Sequence, residues 1–227
     1  MGLCIGKLQL DFCSCCPKKQ KPVPKIISEN SLEVITEIVY ALRENARLYR
    51  NFGWFCLLQV RESDGHLNLE MANQILTMIE NGSAPANRMI SAWNREAAFA
   101  LYQYLRANQP LIPESIQSIV LDNNNCNINP EIVAADVLGL IDEELHHRQK
   151  TLLWLLFQLF DCGIKVSPAD ELGGNTWPVS TLPLFFNLED HRYLNDWRRI
   201  LMIFVEMIRQ APNTLDDVFN AQALRVN

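Results

Sequence analysis

The feature that most constrains the fold is an unusually apolar segment over residues 142–161. Its large apolar side chains fall on nearly every side of a helix: Leu152, Leu153, Leu155, Leu156, Phe157, Leu159 and Phe160. A helix that is apolar around most of its circumference lies in the centre of a protein or in a membrane. The apolar run over 151–160 is much shorter than the roughly 18 residues that a spanning helix needs. The segment therefore predicts the central helix of a bundle, ended by Gly163.

The rest of the chain repeats apolar residues at steps of three and four, which is typical of helices with one buried face. The pattern predicts helices over 31–42 with Ser31 as the N-cap, 67–80 with a stop at Asn81 and Gly82, 88–106, 114–121, 130–140 and 194–209. Residues 122–129 are expected to form a loop, and 168–178 a short helix or an irregular turn. No alternating strand pattern persists, so the predicted class is all-α.

Composition and charge fit one acidic domain behind a basic tail. The 227 residues are 48% hydrophobic and 20% charged, which is ordinary for a globular protein. Residues 1–25 contain five lysines against Asp11 alone, so the tail carries +4 and the remainder −10 of the net −6. An acidic body argues against nucleic acid as a partner. The N-terminus lacks the apolar core of a secretory signal, and we expect a chain that folds in the cytosol.

Residues 1–25 also have the composition of a lipid anchor. Removal of Met1 would expose Gly2, the residue whose amine can be myristoylated, although Gly6 stands where Ser or Thr is usual. Stable anchoring needs a second signal. Palmitoylation is expected at one or more of the thiols Cys4, Cys13, Cys15 and Cys16, and lysines 18, 19 and 21 suit an anionic leaflet. The division predicted is a disordered, lipidated tail over 1–25 and a helical domain over 26–227. An unmodified leader is the alternative.

No metal or cofactor site is expected. The tail cysteines lack a histidine and the spacing of a zinc site. Glu143 with His146, and Glu144 with His147, have spacing that would place a carboxylate and an imidazole on one helix face. A di-metal bundle needs that motif on two helices. Cys162 has no neighbouring residues that would make it a nucleophile. We interpret these side chains as a solvated surface and a structural thiol.

Two stretches of the sequence carry a family resemblance. In residues 99–113, Tyr104-Leu105-Arg106 runs into Pro110-Leu111-Ile112-Pro113, and residues 148–160 form the apolar central segment. Both resemble the Rho GTPase-activating (Rho-GAP) domain family, and the resemblance covers about residues 24–210. It implies a Rho-GAP-like helical bundle. Residues 182–187 before a final helix are similar to the non-catalytic GAP-like domains of inositol polyphosphate 5-phosphatases, which bind GTPases without efficient hydrolysis.

The resemblance also implies where a GTPase would bind. The family inserts an arginine finger beside the γ-phosphate, and an arginine finger contributes about 10³–10⁵ in rate. In one register Arg50 is the finger, and in the other Cys56 occupies its place and no finger exists. Arg106 matches the arginine that braces the finger loop, and Tyr102 stands where the family has lysine. Tyr102 and Arg106 lie four residues apart, so both are expected to face that loop.

A further position of the motif departs from the family. The asparagine that contacts the GTPase corresponds to Glu171, or to Asn175 after a shift. A carboxylate near the nucleotide would disfavour the developing phosphate charge. The expected function is therefore a protein on the cytosolic face of a membrane that binds a Rho-family small GTPase with weak or no activation. The alternatives are an active GTPase-activating protein that uses Arg50, and a helical adaptor for another protein or a lipid.

Overall fold

The computed structural model describes residues 26–49, 67–83, 87–122, 128–166, 177–188 and 196–214. Within these ranges the regular structure is entirely helical, in nine segments and without a strand. The helices are α1 (Glu29–Tyr49), α2 (Leu69–Asn81), α3 (Asn87–Ala92), α4 (Asn94–Ala107), α5 (Glu114–Leu121), α6 (Pro130–Glu144), α7 (His147–Val166), α8 (Trp177–Phe185) and α9 (Trp197–Thr214). The all-α class predicted from the sequence is confirmed.

Helix α1 begins two residues before the predicted cap. The Ser28 hydroxyl accepts a hydrogen bond from the Ser31 backbone N–H at 3.1 Å, which is the usual N-cap arrangement. Ser31 itself lies in the first turn with 3% of its surface exposed. The prediction of Ser31 as the cap is therefore wrong, because both serines can cap and the helix takes the earlier one. The apolar face of α1 is buried, as the periodicity indicated.

Helix α2 ends at Asn81, one residue beyond the predicted end. Gly82 follows in the left-handed conformation, with φ of 66°, and its N–H bonds the Ile79 carbonyl at 3.4 Å. The Ser83 N–H reaches back to the Met78 carbonyl at 3.0 Å, so two carbonyls of the last turn are satisfied. The stop predicted at Asn81 and Gly82 is confirmed.

The single helix predicted over 88–106 is wrong, because the chain breaks at Trp93. Trp93 has φ of −123° and ψ of 48°, and it separates α3 from α4. The Asn94 side-chain amide donates to the Ser91 carbonyl at 2.9 Å and supports the break. Asparagine side chains compete for backbone groups in this way and favour helix ends.

The central helix is displaced along the sequence from its predicted bounds. Residues 142–144 finish α6, Leu145 is extended and buried, and α7 starts at His147. At the other end, α7 continues through Gly163 to Val166, so the predicted stop at Gly163 is wrong. The apolar residues of α7 are buried, and α7 packs against both α1 and α9. Its predicted central position is confirmed.

The core joins α7 to the C-terminal helices through phenylalanine side chains. Phe185 stacks on Phe157 with ring centroids 5.5 Å apart and lies 4.9 Å from Phe204. Aromatic pairs at these separations add to the hydrophobic gain of burial. Helix α6 packs along α9, and α2 along α4. Among the described helices, not one is both long enough and apolar enough to cross a bilayer.

Candidate functional site

The last turns of α4 carry the two described residues that the sequence places at a binding surface. Arg106 is exposed, and it makes no hydrogen bond or ion pair with any other residue that the structure describes. Tyr102 is half-buried and packs against the hydrophobic core. An exposed guanidinium without an internal carboxylate is available to an acidic group on a partner.

Tyr104, between these two residues, fixes the position of this turn. Its side chain is 9% exposed and lies near Ser31, in the first turn of α1. Burial raises the pKa of Tyr104, the neighbouring Ser31 side chain opposes the rise, and the carboxylate of Glu80 adds to it. The C-terminal turn of α4 therefore packs beside the N-terminal end of α1.

The C-terminal end of α2 also lies beside the N-terminal end of α1. A Cβ built on Gly82 would be 2.2 Å from the Cβ of Asn30, so the backbone at Gly82 passes directly over the first turn of α1. Helix α1 is 21 residues long, which corresponds to roughly 30 Å. Its opposite end, at Tyr49, is roughly 27 Å along the helix from Ser31. Tyr102 and Arg106 therefore lie in the last turns of α4, the part of that helix that packs beside the start of α1.

A fixed turn follows α4 and completes this surface. The Leu111 N–H donates to the Leu184 carbonyl at 2.9 Å, which ties the turn to α8. The Gln117 side chain is 1% exposed; its amide donates to the Ile112 carbonyl at 2.5 Å, and its oxygen accepts from the Asn187 N–H at 2.8 Å. Sequence reasoning missed Gln117, although a lone glutamine in the apolar α5 segment was the available signal.

The far end of α1 contains a second group of cations. The Arg43 guanidinium donates to the Gln158 side-chain oxygen and lies 5.8 Å from the centre of the Tyr40 ring. Burial lowers the pKa of Arg43, and the positive charge of Arg47 lowers it further. Arg47 is exposed in the last turn of α1. Arg43 is thus held by the fold, whereas Arg47 faces solvent.

The histidines at the junction of α6 and α7 do not form the arrangement considered from their spacing. Glu143 lies in α6, while His146 lies between the helices and His147 begins α7, so no single helix face presents them. The two rings are 4.2 Å apart. Desolvation lowers the pKa of His146, and the charges of His147 and Arg148 lower it further. Within the described ranges there is no group of three metal-binding side chains.

The remaining predicted site residues lie outside the described residues. These are the candidate finger Arg50, its alternative Cys56, the pair Glu171 and Asn175, and the lipidation sites Gly2, Cys4, Cys13, Cys15 and Cys16. The choice between the two finger registers therefore stays a prediction. Comparison of the chain with protein-family models, with curated proteins and with solved structures gives no match.

Proposed function

We propose that this chain is a membrane-tethered, Rho-GAP-like helical protein that binds a Rho-family small GTPase with weak or no activation of GTP hydrolysis. The resemblance of residues 99–113 and 148–160 to the Rho-GAP family suggests the partner. The observation that carries the non-catalytic part is Tyr102, which stands four residues before Arg106 where the family has lysine, so that one positive charge of the motif is missing. Arg50, the candidate finger, lies outside the described residues.

The binding surface in this proposal is the end of α4 with the turn that follows it. Arg106 offers an exposed positive charge there, and the hydrogen bonds of Leu111 and Gln117 hold the adjoining backbone in one conformation. A surface that is ordered before binding loses less conformational entropy when a partner docks. These features suit recognition of an acidic protein surface. The hydrogen bonds of Leu111 and Gln117 add no positive charge that could stabilise the phosphates of a nucleotide bound to the GTPase.

Two measurements on the full chain distinguish GTPase binding from activation of GTP hydrolysis. A panel of Rho-family GTPases, loaded with GDP or with a non-hydrolysable GTP analogue, is tested by titration calorimetry. Arg106→Glu is expected to weaken binding about tenfold or more, equal to roughly 1.4 kcal/mol or more. The matched control is Arg95→Glu, the same charge reversal at the exposed start of the same helix. It should leave the affinity within about threefold.

Single-turnover GTP hydrolysis then tests for catalysis. We expect little or no acceleration of hydrolysis by the chain. An acceleration that disappears in Arg50→Ala would establish the active enzyme and reject the proposal. Failure of the wild-type chain to bind any GTPase of the panel in either nucleotide state would instead favour an adaptor for another protein or a lipid.

A further inference from the structure

Helix α6 exposes apolar residues on its solvent side. Ile132, Ala135 and Gly139 follow one another at steps of three and four on this side, with Ile128 just before the helix. Ile128 and Ile132 are 43% and 54% exposed. A Cβ on Gly139 would meet nothing within 4 Å, so the middle of this surface is open. We refer to these four residues as the α6 face.

The α6 face is surrounded by negative charge. Helix α6 contains no lysine or arginine and five exposed carboxylates: Glu131, Asp136, Asp142, Glu143 and Glu144. Lys150 pairs with Asp142 at 3.0 Å, which leaves the helix with an excess of acid. A segment that covers the α6 face therefore needs apolar side chains to contact it and positive charges to pair with the surrounding carboxylates.

The chain itself supplies such a segment where it enters the folded body. The Ile27 carbonyl accepts a hydrogen bond of 3.0 Å from Arg148, in the first turn of α7 and four residues after the end of α6. Residues 1–25, which lie outside the described structure, contain five lysines, one aspartate and the apolar residues Leu8, Leu10 and Phe12. The described chain thus begins beside the acidic end of α6.

The length of this segment is sufficient to cover the face. From Glu144 back to Ile132 the distance along α6 is roughly 18 Å. The fourteen residues from Phe12 to Lys25 extend over as much as about 45 Å. This length is enough for lysines 18, 19 and 21 to pair with the carboxylates while the apolar residues reach Ile128 and Ile132.

We propose that the α6 face is the docking site for the chain's own residues 1–25, and that an anionic membrane competes for the same lysines. Docked, the segment covers the exposed apolar side chains of α6. On an anionic leaflet the lysines exchange the carboxylates for lipid phosphates, and the α6 face becomes free. This inference concerns a surface that the proposed function does not use, and it does not depend on GTPase binding.

A disulfide trap in the unacylated full chain tests the docking. Ile132→Cys places a thiol on the α6 face. Oxidation with copper–phenanthroline then links this thiol in a disulfide to one of the native tail thiols Cys13, Cys15 and Cys16. The matched control is Tyr40→Cys: Tyr40 is 46% exposed and lies roughly 20 Å along α1 from Ile27, a similar reach for a freely moving tail. Both variants carry Cys126→Ser, because Cys126, which lies outside the described residues and two positions before Ile128, could compete for the tail thiols. Mass spectrometry identifies the linked peptides.

We expect tail disulfides at position 132 at about ten times the yield at position 40, since docking raises the local concentration of the tail. Replacing lysines 18, 19 and 21 by glutamate should remove the difference. Vesicles of phosphatidylcholine with phosphatidylserine should lower the yield at position 132, and phosphatidylcholine alone should not. Equal yields at the two positions, no disulfide at either, or a yield at position 132 that is unchanged by the glutamate replacements would overturn the proposal.

Discussion

Tyr104 lies near the start of α1 with 9% of its surface exposed. Tyr104→Phe keeps the packing of the ring but removes the hydroxyl that lies near Ser31. We expect the free energy of unfolding to fall by about 1 kcal/mol, the usual contribution of one buried polar contact. Tyr102→Phe, a half-buried tyrosine on the same helix, is the control and should change stability by less than about 0.5 kcal/mol. Both values are obtained from urea unfolding at neutral pH.

The same residue makes stability depend on alkaline pH. Because burial raises the pKa of Tyr104 above its value of about 10 in the unfolded chain, the folded state holds this proton more tightly. The resulting contribution is fully present below the unfolded pKa and is lost as the pH rises through the folded pKa. Urea unfolding from pH 9 upward should thus show a shallower decline for Tyr104→Phe than for Tyr102→Phe. Parallel declines would contradict this assignment.

At the level of single residues, the sequence predicted which side chains are buried better than it predicted which groups they contact. The apolar positions of α1 and α7 were identifiable, because their spacing alone determines a buried face. The roles of Ser31 and Gln117 were not, since a serine that caps a helix and a serine that is buried in its first turn look alike in sequence. Arg106 was singled out through the resemblance. It is exposed, and its role in binding stays a proposal.

Two glycines provide a direct test of how the helices are built. Gly82 has φ of 66°, and a Cβ there would lie 2.2 Å from the Cβ of Asn30, so Gly82→Ala adds backbone strain and a collision with α1. We expect a loss of about 2 kcal/mol or more. Gly139 lies inside α6 with nothing within 4 Å of an added Cβ. Gly139→Ala should increase stability by about 0.5–1 kcal/mol.

Thermal unfolding followed by circular dichroism measures both glycine variants. A loss at Gly82 together with a gain at Gly139 would support the helix end and the open face described above. If Gly82→Ala were neutral, α2 would not pass over α1 as closely as the Gly82–Asn30 contact requires. Gly139→Ala is measured in a chain whose lysines 18, 19 and 21 are replaced by glutamate, so that the proposed docking of the tail does not cover Gly139; strong destabilisation in that chain would contradict the open outer side of α6.

The existence of the helices followed from periodicity, whereas several of their boundaries did not. The breaks at Trp93 and Leu145 both fall inside continuous apolar patterns, so the sequence alone predicted uninterrupted helices there. Leu145 is extended and 6% exposed, so its side chain is buried at the junction of α6 and α7. Burial of that side chain depends on tertiary packing, which local propensity does not contain. The stop at Gly82 was predictable because glycine favours the left-handed conformation at a helix end.

At the scale of the whole molecule, the described helices form a body with two distinct ends. The N-terminal end of α1 adjoins the last turn of α4, the end of α2 and the start of α7. The other end carries Arg43 and Arg47. The chain enters at the first end, beside both the proposed GTPase surface and the acidic end of α6. A tail that is held at a membrane would therefore keep these two surfaces near the bilayer.

Anchoring of the tail is tested by Gly2→Ala in cells. Without a myristoyl group the chain keeps only its lysines for the anionic leaflet, at roughly 1 kcal/mol each, and stable attachment requires two signals. We expect wild-type protein in the membrane fraction and Gly2→Ala in the cytosol after sedimentation. Gly6→Ala, a glycine that cannot take the acyl group, is the matched control and should remain on the membrane. Wild-type protein that is already cytosolic, or Gly2→Ala that stays bound, would exclude myristoylation as the anchor.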